Sequence, residues 1–176
     1  MNIAQFWELI ERTRMLSNGD VVLQADLLIQ ELSVLSIDEI TAYGQIFDTF
    51  YVRAYRHDII DVADLIYGGL GDSGIKDFLA WLISQGKNTY ENTITNPEFL
   101  VDIVSFDRRE NITAEKLGYA ADLAYQKKTD SEDFLPYIPP EESGSMGENR
   151  LGGLAGQEFE QRAKELYPKT WAKFGW

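Results

Sequence analysis

The chain has 176 residues, of which 44% are hydrophobic and 12% aromatic, so it is long and apolar enough to bury a core as one domain. Its formal charge of −13 opposes binding to nucleic-acid phosphates or anionic membranes, and no apolar stretch approaches the roughly 20 residues that cross a bilayer. The absence of cysteine excludes disulfides, thiolate metal sites and cysteine nucleophiles.

The N-terminal third shows helical spacing of its apolar residues. A first helix carries a stripe of this kind and ends at Asn18-Gly19, and Asp20 is a suitable cap for the second helix. Ser36 and Glu39 have the spacing of a capping box, in which each side chain satisfies a free backbone amide of the other residue. The sequence therefore predicts three consecutive helices before residue 55.

The third helix cannot continue unbroken through the next apolar stripe. If it ran to Tyr67 it would be about 30 residues long, well above the usual length. We expect a break near His57, with Asp58 capping a separate fourth helix that ends at the glycines.

A glycine-rich turn, Gly68–Gly74, leads into the next predicted helix. Asp72 or Ser73 is expected to start and cap this helix, and Gly86 ends it. Its apolar residues keep the spacing of a core-facing stripe: Ile75, Phe78, Leu79, Leu82 and Ile83. Trp81 lies off the centre of that stripe, which favours a position at a pocket edge or an interface. An aromatic pocket is the alternative for Phe78, Trp81, Tyr90 and Phe99.

The remaining helical signals are shorter. We predict a short helix over residues 89–93, a start at Asn96-Pro97-Glu98, a helix capped by Thr113 that runs to about Lys127, and a C-terminal helix bent or broken at Pro168. The prediction is an all-α fold, a single compact domain of about seven to eight helices.

A Pro/Gly-rich segment separates the last two predicted helices. We divide the single domain into a helical core (1–127), a long loop packed on or beside the core (128–156) and a C-terminal helix (157–176). Apolar residues near Phe134 favour packing of the loop. The terminal aromatics Trp171, Phe174 and Trp176 are expected to dock on this domain, with a partner subunit as the alternative.

Two motifs at the glycine turn suggest chemistry that their context does not support. Gly71-Asp-Ser-Gly74 copies the tetrapeptide around the nucleophile of trypsin-like serine proteases, which are β proteins with a histidine base, whereas here the pattern is helical and His57 is the only histidine. A phosphate cradle is disfavoured because Asp72 would place negative charge against the phosphate. A glycine turn with a helix cap explains these residues without catalysis.

One set of residues has the spacing of a weak metal site. His57, Asp61 and Asp64 stand at i, i+4 and i+7 and would share one face of a continuous helix. The alternative is a solvated acidic face, and a helix break at His57 would spoil the geometry. We therefore predict no resident metal and no cofactor.

Several motifs of the first two-thirds resemble a bacterial family catalogued only as a domain of unknown function, which in some members is joined to a WGR-type domain. The matching residues are Phe6-Trp7-Glu-Leu-Ile-Glu11 with Arg14, Gly68-Gly69, Asp72-Ser-Gly74, Asp77-Phe78, Trp81-Leu-Ile-Ser-Gln-Gly86 and Asn96-Pro97. This chain has Ser73 where the family often has a second acid, and Ile75 where it has an aromatic. The resemblance implies a small helical bacterial domain and transfers no catalytic residue.

The sequence leaves two functional hypotheses. The preferred one is a non-catalytic protein-interaction module, of immunity or regulatory type, whose acidic surface binds a basic protein partner. The alternative is an enzyme or small-ligand binder with a pocket at the Gly68–Gly74 turn. The candidate binding residues are Asp72, Ser73, Asp77, Trp81, Glu141 and Glu142, and no catalytic residue is assigned. We expect a cytoplasmic location, because the N-terminus lacks a secretory signal. We expect a monomer or a homodimer.

Overall fold

The computed structural model describes residues 1–104, 114–131, 133–134 and 150–175. In these ranges the chain forms α-helices and one 3-10 turn, Pro97–Phe99, with no strand. The α-helices are α1 (Ile3–Leu16), α2 (Val21–Ser33), α3 (Ile37–Ala54), α4 (His57–Tyr67), α5 (Asp72–Ser84), α6 (Lys87–Thr95), α7 (Leu100–Ile103), α8 (Glu115–Gly118), α9 (Ala120–Thr129), α10 (Gly156–Leu166) and α11 (Pro168–Phe174). The all-α prediction is confirmed.

The predicted number of seven to eight helices was too low, since the described residues contain eleven. The helix expected to reach Lys127 as one piece is interrupted at Tyr119 (φ −99°, ψ 12°), which separates α8 from α9. The C-terminal segment is likewise two helices, divided at Pro168 as its missing amide hydrogen requires. Thr113, the predicted cap, lies outside the described residues.

The starts of α2 and α3 are those predicted. The Asp20 side chain accepts hydrogen bonds from the amides of Val22 and Leu23, and Ser36 and Glu39 form both halves of the capping box. The break before α4 is also present, but Asp58 does not cap the helix. Its carboxylate instead binds the Arg56 guanidinium. The same guanidinium also donates a hydrogen bond to the Ile94 carbonyl.

An aromatic cluster joins α1, α3 and α6 at the centre of the core. Phe6 lies 5.0 Å from Tyr43 and Trp7 lies 4.7 Å from Phe50, measured between ring centroids. The buried Tyr90 hydroxyl donates to the Phe50 carbonyl at 2.6 Å. Phe78 and Tyr90 are therefore core residues rather than pocket walls, and the stripe of α5 faces the interior as predicted.

The helices pack so that α5 lies between α3 and α8, while α9 lies against α2 and α3. This arrangement brings one side of α5 into the core and leaves its other side facing α8 across a groove. No helix in the described ranges is long and apolar enough to span a membrane.

The C-terminal helices dock on α4 and α7. The Tyr167 hydroxyl donates to the buried Asp61 carboxylate at 2.9 Å, and the Thr170 amide donates to the Glu98 carboxylate at 2.7 Å. Phe174 is only 2% exposed. The prediction that the terminal aromatics dock on their own domain is confirmed for Trp171 and Phe174, while Trp176 lies outside the described residues.

The long loop is described only near its two ends. The Phe134 ring packs 5.3 Å from the Tyr125 ring and lies so close to Gly44 that a Cβ there would be 3.2 Å from it. Phe134, the first apolar residue after α9, therefore contacts the core. Residues 135–149, including most of the Pro/Gly-rich sequence, lie outside the described residues.

Candidate functional site

A cleft of about 640 Å³ lies between α3, α5 and α8. Its volume is in the range of small-ligand sites and exceeds the volume of one side chain. The lining residues are Phe47, Asp48 and Tyr51 of α3, Asp72, Ser73, Lys76, Asp77 and Ala80 of α5, and Glu115, Gly118 and Tyr119. Four carboxylates and one ammonium therefore share a concave surface.

Helical spacing explains why these residues face one another. On α5, the buried Phe78 and Leu79 turn toward the core, while Asp72, Lys76 and Ala80 recur every four residues on the neighbouring flank. The buried side chains of Phe47 and Ala80 form an apolar floor. The polar groups of the cleft are thus mounted on helices whose opposite faces are held by the core.

The glycine turn that precedes α5 is organised by Asp64. The Asp64 carboxylate accepts the Leu70 amide at 2.7 Å, and the Asp64 carbonyl accepts the amides of Gly68 and Gly69, both at 2.9 Å. Gly68 (φ +76°) and Gly69 (φ +101°) adopt backbone angles that favour glycine. An acid at the end of α4, which the sequence analysis treated only as a metal candidate, therefore holds the turn.

The prediction that Asp72 or Ser73 starts α5 is confirmed for Asp72, but neither side chain caps the helix. Gly71 occupies the N-cap position and no side chain caps the helix, so Asp72 is the first helical residue. Both Asp72 and Ser73 are exposed at the edge of the cleft. Negative charge in the first turn is favourable because it faces the positive end of the helix dipole.

Two of the cleft carboxylates, Asp48 and Asp77, have raised pKa values. Burial, with a smaller contribution from the nearby carboxylate of Asp122 on α9, raises the pKa of Asp48 to about 6. Burial likewise raises the pKa of Asp77, with a contribution from Glu115 across the cleft. Burial and the neighbouring acids therefore both disfavour negative charge on Asp48 and Asp77.

No basic side chain relieves this charge within the described ranges. Asp48, Asp72, Asp77 and Glu115 take part in no ion pair and in no side-chain hydrogen bond there. The neighbouring Lys116 binds Asp26 of α2 instead. Within the described residues, the acidic groups of the cleft therefore have no basic partner.

Two tyrosines complete the cleft. Tyr51 is half-buried, and burial, followed by its neighbours Tyr55, Tyr119 and Asp77, raises its pKa to about 12, so it stays neutral at physiological pH. Tyr119 stands at the break between α8 and α9 and is 54% exposed. Neutral phenol rings beside carboxylates suit an organic cation, which can contact both.

The structure brings together three of the predicted binding residues, namely Asp72, Ser73 and Asp77. Trp81 does not join them, because it is half-buried and packs its ring 5.8 Å from that of Phe78. Glu141 and Glu142 lie outside the described residues.

Sequence reasoning missed the walls contributed by α3 and α8. Asp48 and Tyr51 have a recognisable signal, since they flank the apolar stripe of α3 on the same side as each other. Glu115 and Tyr119 have the i, i+4 spacing of one helix face. Only the packing of three helices shows that these faces meet.

The two carboxylates of the weak metal candidate on α4 each accept a hydrogen bond from the chain. His57, Asp61 and Asp64 do lie on one continuous helix, but Asp61 accepts the Tyr167 hydroxyl and Asp64 accepts the Leu70 amide. In the part of the chain that the structure covers, no three His, Asp or Glu side chains are grouped closely enough to hold an ion. The two carboxylates therefore have structural partners.

Comparison with known proteins identifies the family of the chain. Neither the curated proteins nor the solved structures contain a significant match. A family model described as a protein of unknown function, DUF4240, matches residues 1–127, a range that includes every residue lining the cleft. This match confirms the resemblance to a family of unknown function. The chain belongs to the DUF4240 family.

Proposed function

We propose that the protein is a non-catalytic interaction module that receives a basic segment of a protein partner in the cleft between α3, α5 and α8. The observation that carries the proposal is the set of four carboxylates, contributed by three helices, that have no basic partner within the described residues. Elsewhere, acids of comparable burial such as Asp58 and Asp61 bind donors of the same chain.

The energetic argument follows from the shifted carboxylates. An approaching lysine or arginine side chain would lower the cost of keeping Asp48 and Asp77 ionised, and that gain appears as binding free energy. The net charge of −13 would also attract a basic partner over a longer range and accelerate association. Both contributions weaken as salt screens the charges.

A small organic cation is the second candidate ligand, and the concavity of the site favours it. The volume of about 640 Å³ falls within the range of small-molecule pockets. The residues that line the cleft include no nucleophile paired with a general base, so a binding role is better supported than a reaction.

The proposal is tested by affinity capture from host lysate at low and high salt with three baits. These are the wild type, the triple variant Asp48→Asn, Asp77→Asn, Glu115→Gln, and the control Glu8→Gln, which removes an exposed acid that does not line the cleft. We expect the wild type and the control to retain a stoichiometric basic protein that salt releases, and the triple variant to lose it.

Two outcomes would contradict the proposal. Retention of the same protein by the triple variant would place the interface elsewhere on the surface. Failure of the wild type to retain any basic protein would favour the small-cation candidate. In that case a thermal-shift series with arginine amide and spermidine, run on the wild type and the triple variant, is the deciding measurement.

A further inference from the structure

We infer that the cleft selects the guanidinium of an arginine side chain over the ammonium of a lysine. This inference rests on the proposed role of the cleft as a cation site and specifies which cation it prefers. Three features of the described residues support it: the aromatic walls, the distribution of the carboxylates and the behaviour of the lysine already present.

The aromatic walls favour a flat cation. Tyr51 and Tyr119 contribute rings to the same cleft, one half-buried and one 54% exposed. A guanidinium stacks its plane on a phenol ring and still directs its N–H groups outward, whereas an ammonium gains less from such a surface.

The carboxylates are distributed over separate walls. Asp48 comes from α3, Asp77 from α5 and Glu115 from α8, so acceptors approach the cleft from three helices. A guanidinium has five N–H donors spread around one plane, and it can therefore serve acceptors on different sides simultaneously. Three rotating donors on one nitrogen match such a distribution less well.

Partial burial adds a cost that differs between the two cations. Asp48 and Asp77 are already partly desolvated and have no donor from the described chain. A cation that binds them must give up part of its own hydration. A guanidinium is less strongly hydrated than an ammonium, so it loses less on entering the cleft.

The resident lysine provides an internal comparison. Lys76 lines the cleft on the same wall as Asp72 and Asp77 and has a long flexible stem, yet it forms no ion pair with any acid in the described ranges. A lysine is therefore already part of the cleft wall, and within the described residues it forms no ion pair with these carboxylates. A second lysine would offer them the same chemistry, whereas a guanidinium offers a different geometry.

Two model compounds test the preference directly, namely N-acetyl-arginine methylamide and N-acetyl-lysine methylamide. Each is titrated into the full-length ¹⁵N-labelled protein, and dissociation constants are obtained from amide shifts of cleft residues. We expect arginine to bind about fivefold to tenfold more tightly, the difference that one cation–π contact supplies. Tyr119→Leu should remove most of that advantage while leaving lysine affinity nearly unchanged.

The controls separate this inference from the proposed function. Glu8→Gln should bind both compounds as the wild type does, and circular dichroism confirms that Tyr119→Leu remains folded. Equal affinities for the two compounds, or an arginine preference that survives Tyr119→Leu, would overturn the guanidinium selectivity while leaving the acidic cleft as a cation site. Absence of cleft shifts with either compound would overturn both.

Discussion

Two acidic regions of the molecule differ in whether their carboxylates receive hydrogen bonds or ion pairs from the described chain. In the C-terminal contact, where α11 meets α4 and α7, Asp61 accepts the Tyr167 hydroxyl and Asp102 binds the Lys169 ammonium at 2.6 Å. Glu98 accepts both the amide and the hydroxyl of Thr170. Each of these acids has a donor that folding itself supplies.

The acids of the cleft between α3, α5 and α8 have no such donors within the described residues. Asp48 and Asp77 are half-buried and lack an ion pair or side-chain hydrogen bond within the described residues. The difference distinguishes two roles. A donor from the same chain offsets part of the cost of burying a carboxylate, whereas a desolvated carboxylate without such a donor weakens the fold and can gain from a donor on a ligand.

The largest change in folding stability should come from a substitution in the C-terminal contact. Tyr167→Phe removes the donor from the buried Asp61 carboxylate and keeps the ring in place. We expect the free energy of unfolding to fall by about 2 kcal/mol, because a buried acceptor is left without its partner. Urea denaturation followed by circular dichroism measures this change.

The matched control is Tyr119→Phe at the cleft. The Tyr119 hydroxyl makes no hydrogen bond within the described residues and the side chain is exposed, so its removal should change stability by less than about 0.5 kcal/mol. Equal losses in the two variants would show that the C-terminal contact is no more structural than the cleft.

A substitution in the cleft should instead increase folding stability, by a smaller amount. Asp48→Asn removes a carboxylate whose charge is disfavoured by burial and by Asp122. We expect stability at neutral pH to increase by about 1 kcal/mol, a figure reduced to allow for the solvent that still reaches this side chain. The same variant should weaken cation binding, and a loss of stability instead would mean that Asp48 has a structural role.

The smallest predicted effect is a pH dependence of folding stability, to which one acid of each region contributes. Burial raises the pKa of Asp48 and of Asp61 to about 6 from an ordinary value of 3.8. Between these values the folded protein holds more protons than the unfolded chain. The stability that these groups contribute is therefore complete below pH 3.8 and is lost as the pH rises through about 6.

Lowering the pH from about 7 to about 6 should accordingly raise the melting temperature by about 2 °C. In Asp48→Asn the increase should be about half as large, while Glu8→Gln should behave as the wild type. Differential scanning calorimetry at matched ionic strength provides the measurement. A melting temperature that falls over this interval would contradict the raised pKa values.

The local structure follows from short-range physical chemistry and was predictable from the sequence. Asp20 and the Ser36–Glu39 pair cap their helices as expected, because capping depends on residues within one turn of each other. The core-facing stripe of α5 was likewise predictable, since helical spacing alone decides which residues share a face.

Predictions that depended on the choice between competing local partners were less secure. Asp58 and Asp72 both have the residue type and position of an N-cap, yet Asp58 binds Arg56 and Asp72 becomes the first residue of its helix. The break at Tyr119 was not predicted, although Gly118, the last residue of α8, directly precedes it.

The sequence by itself determined the all-helical class, the caps that rest on local contacts and the acidic character that disfavours phosphate partners. Only the tertiary structure decided which acids remain unpaired. Asp61 and Asp48 look alike in sequence, as acids beside apolar helical stripes. Tyr167, 106 residues away along the chain, donates a hydrogen bond to Asp61, whereas helix packing places the Asp122 carboxylate near Asp48. Such long-range pairings arise from helix packing, and no local pattern encodes them.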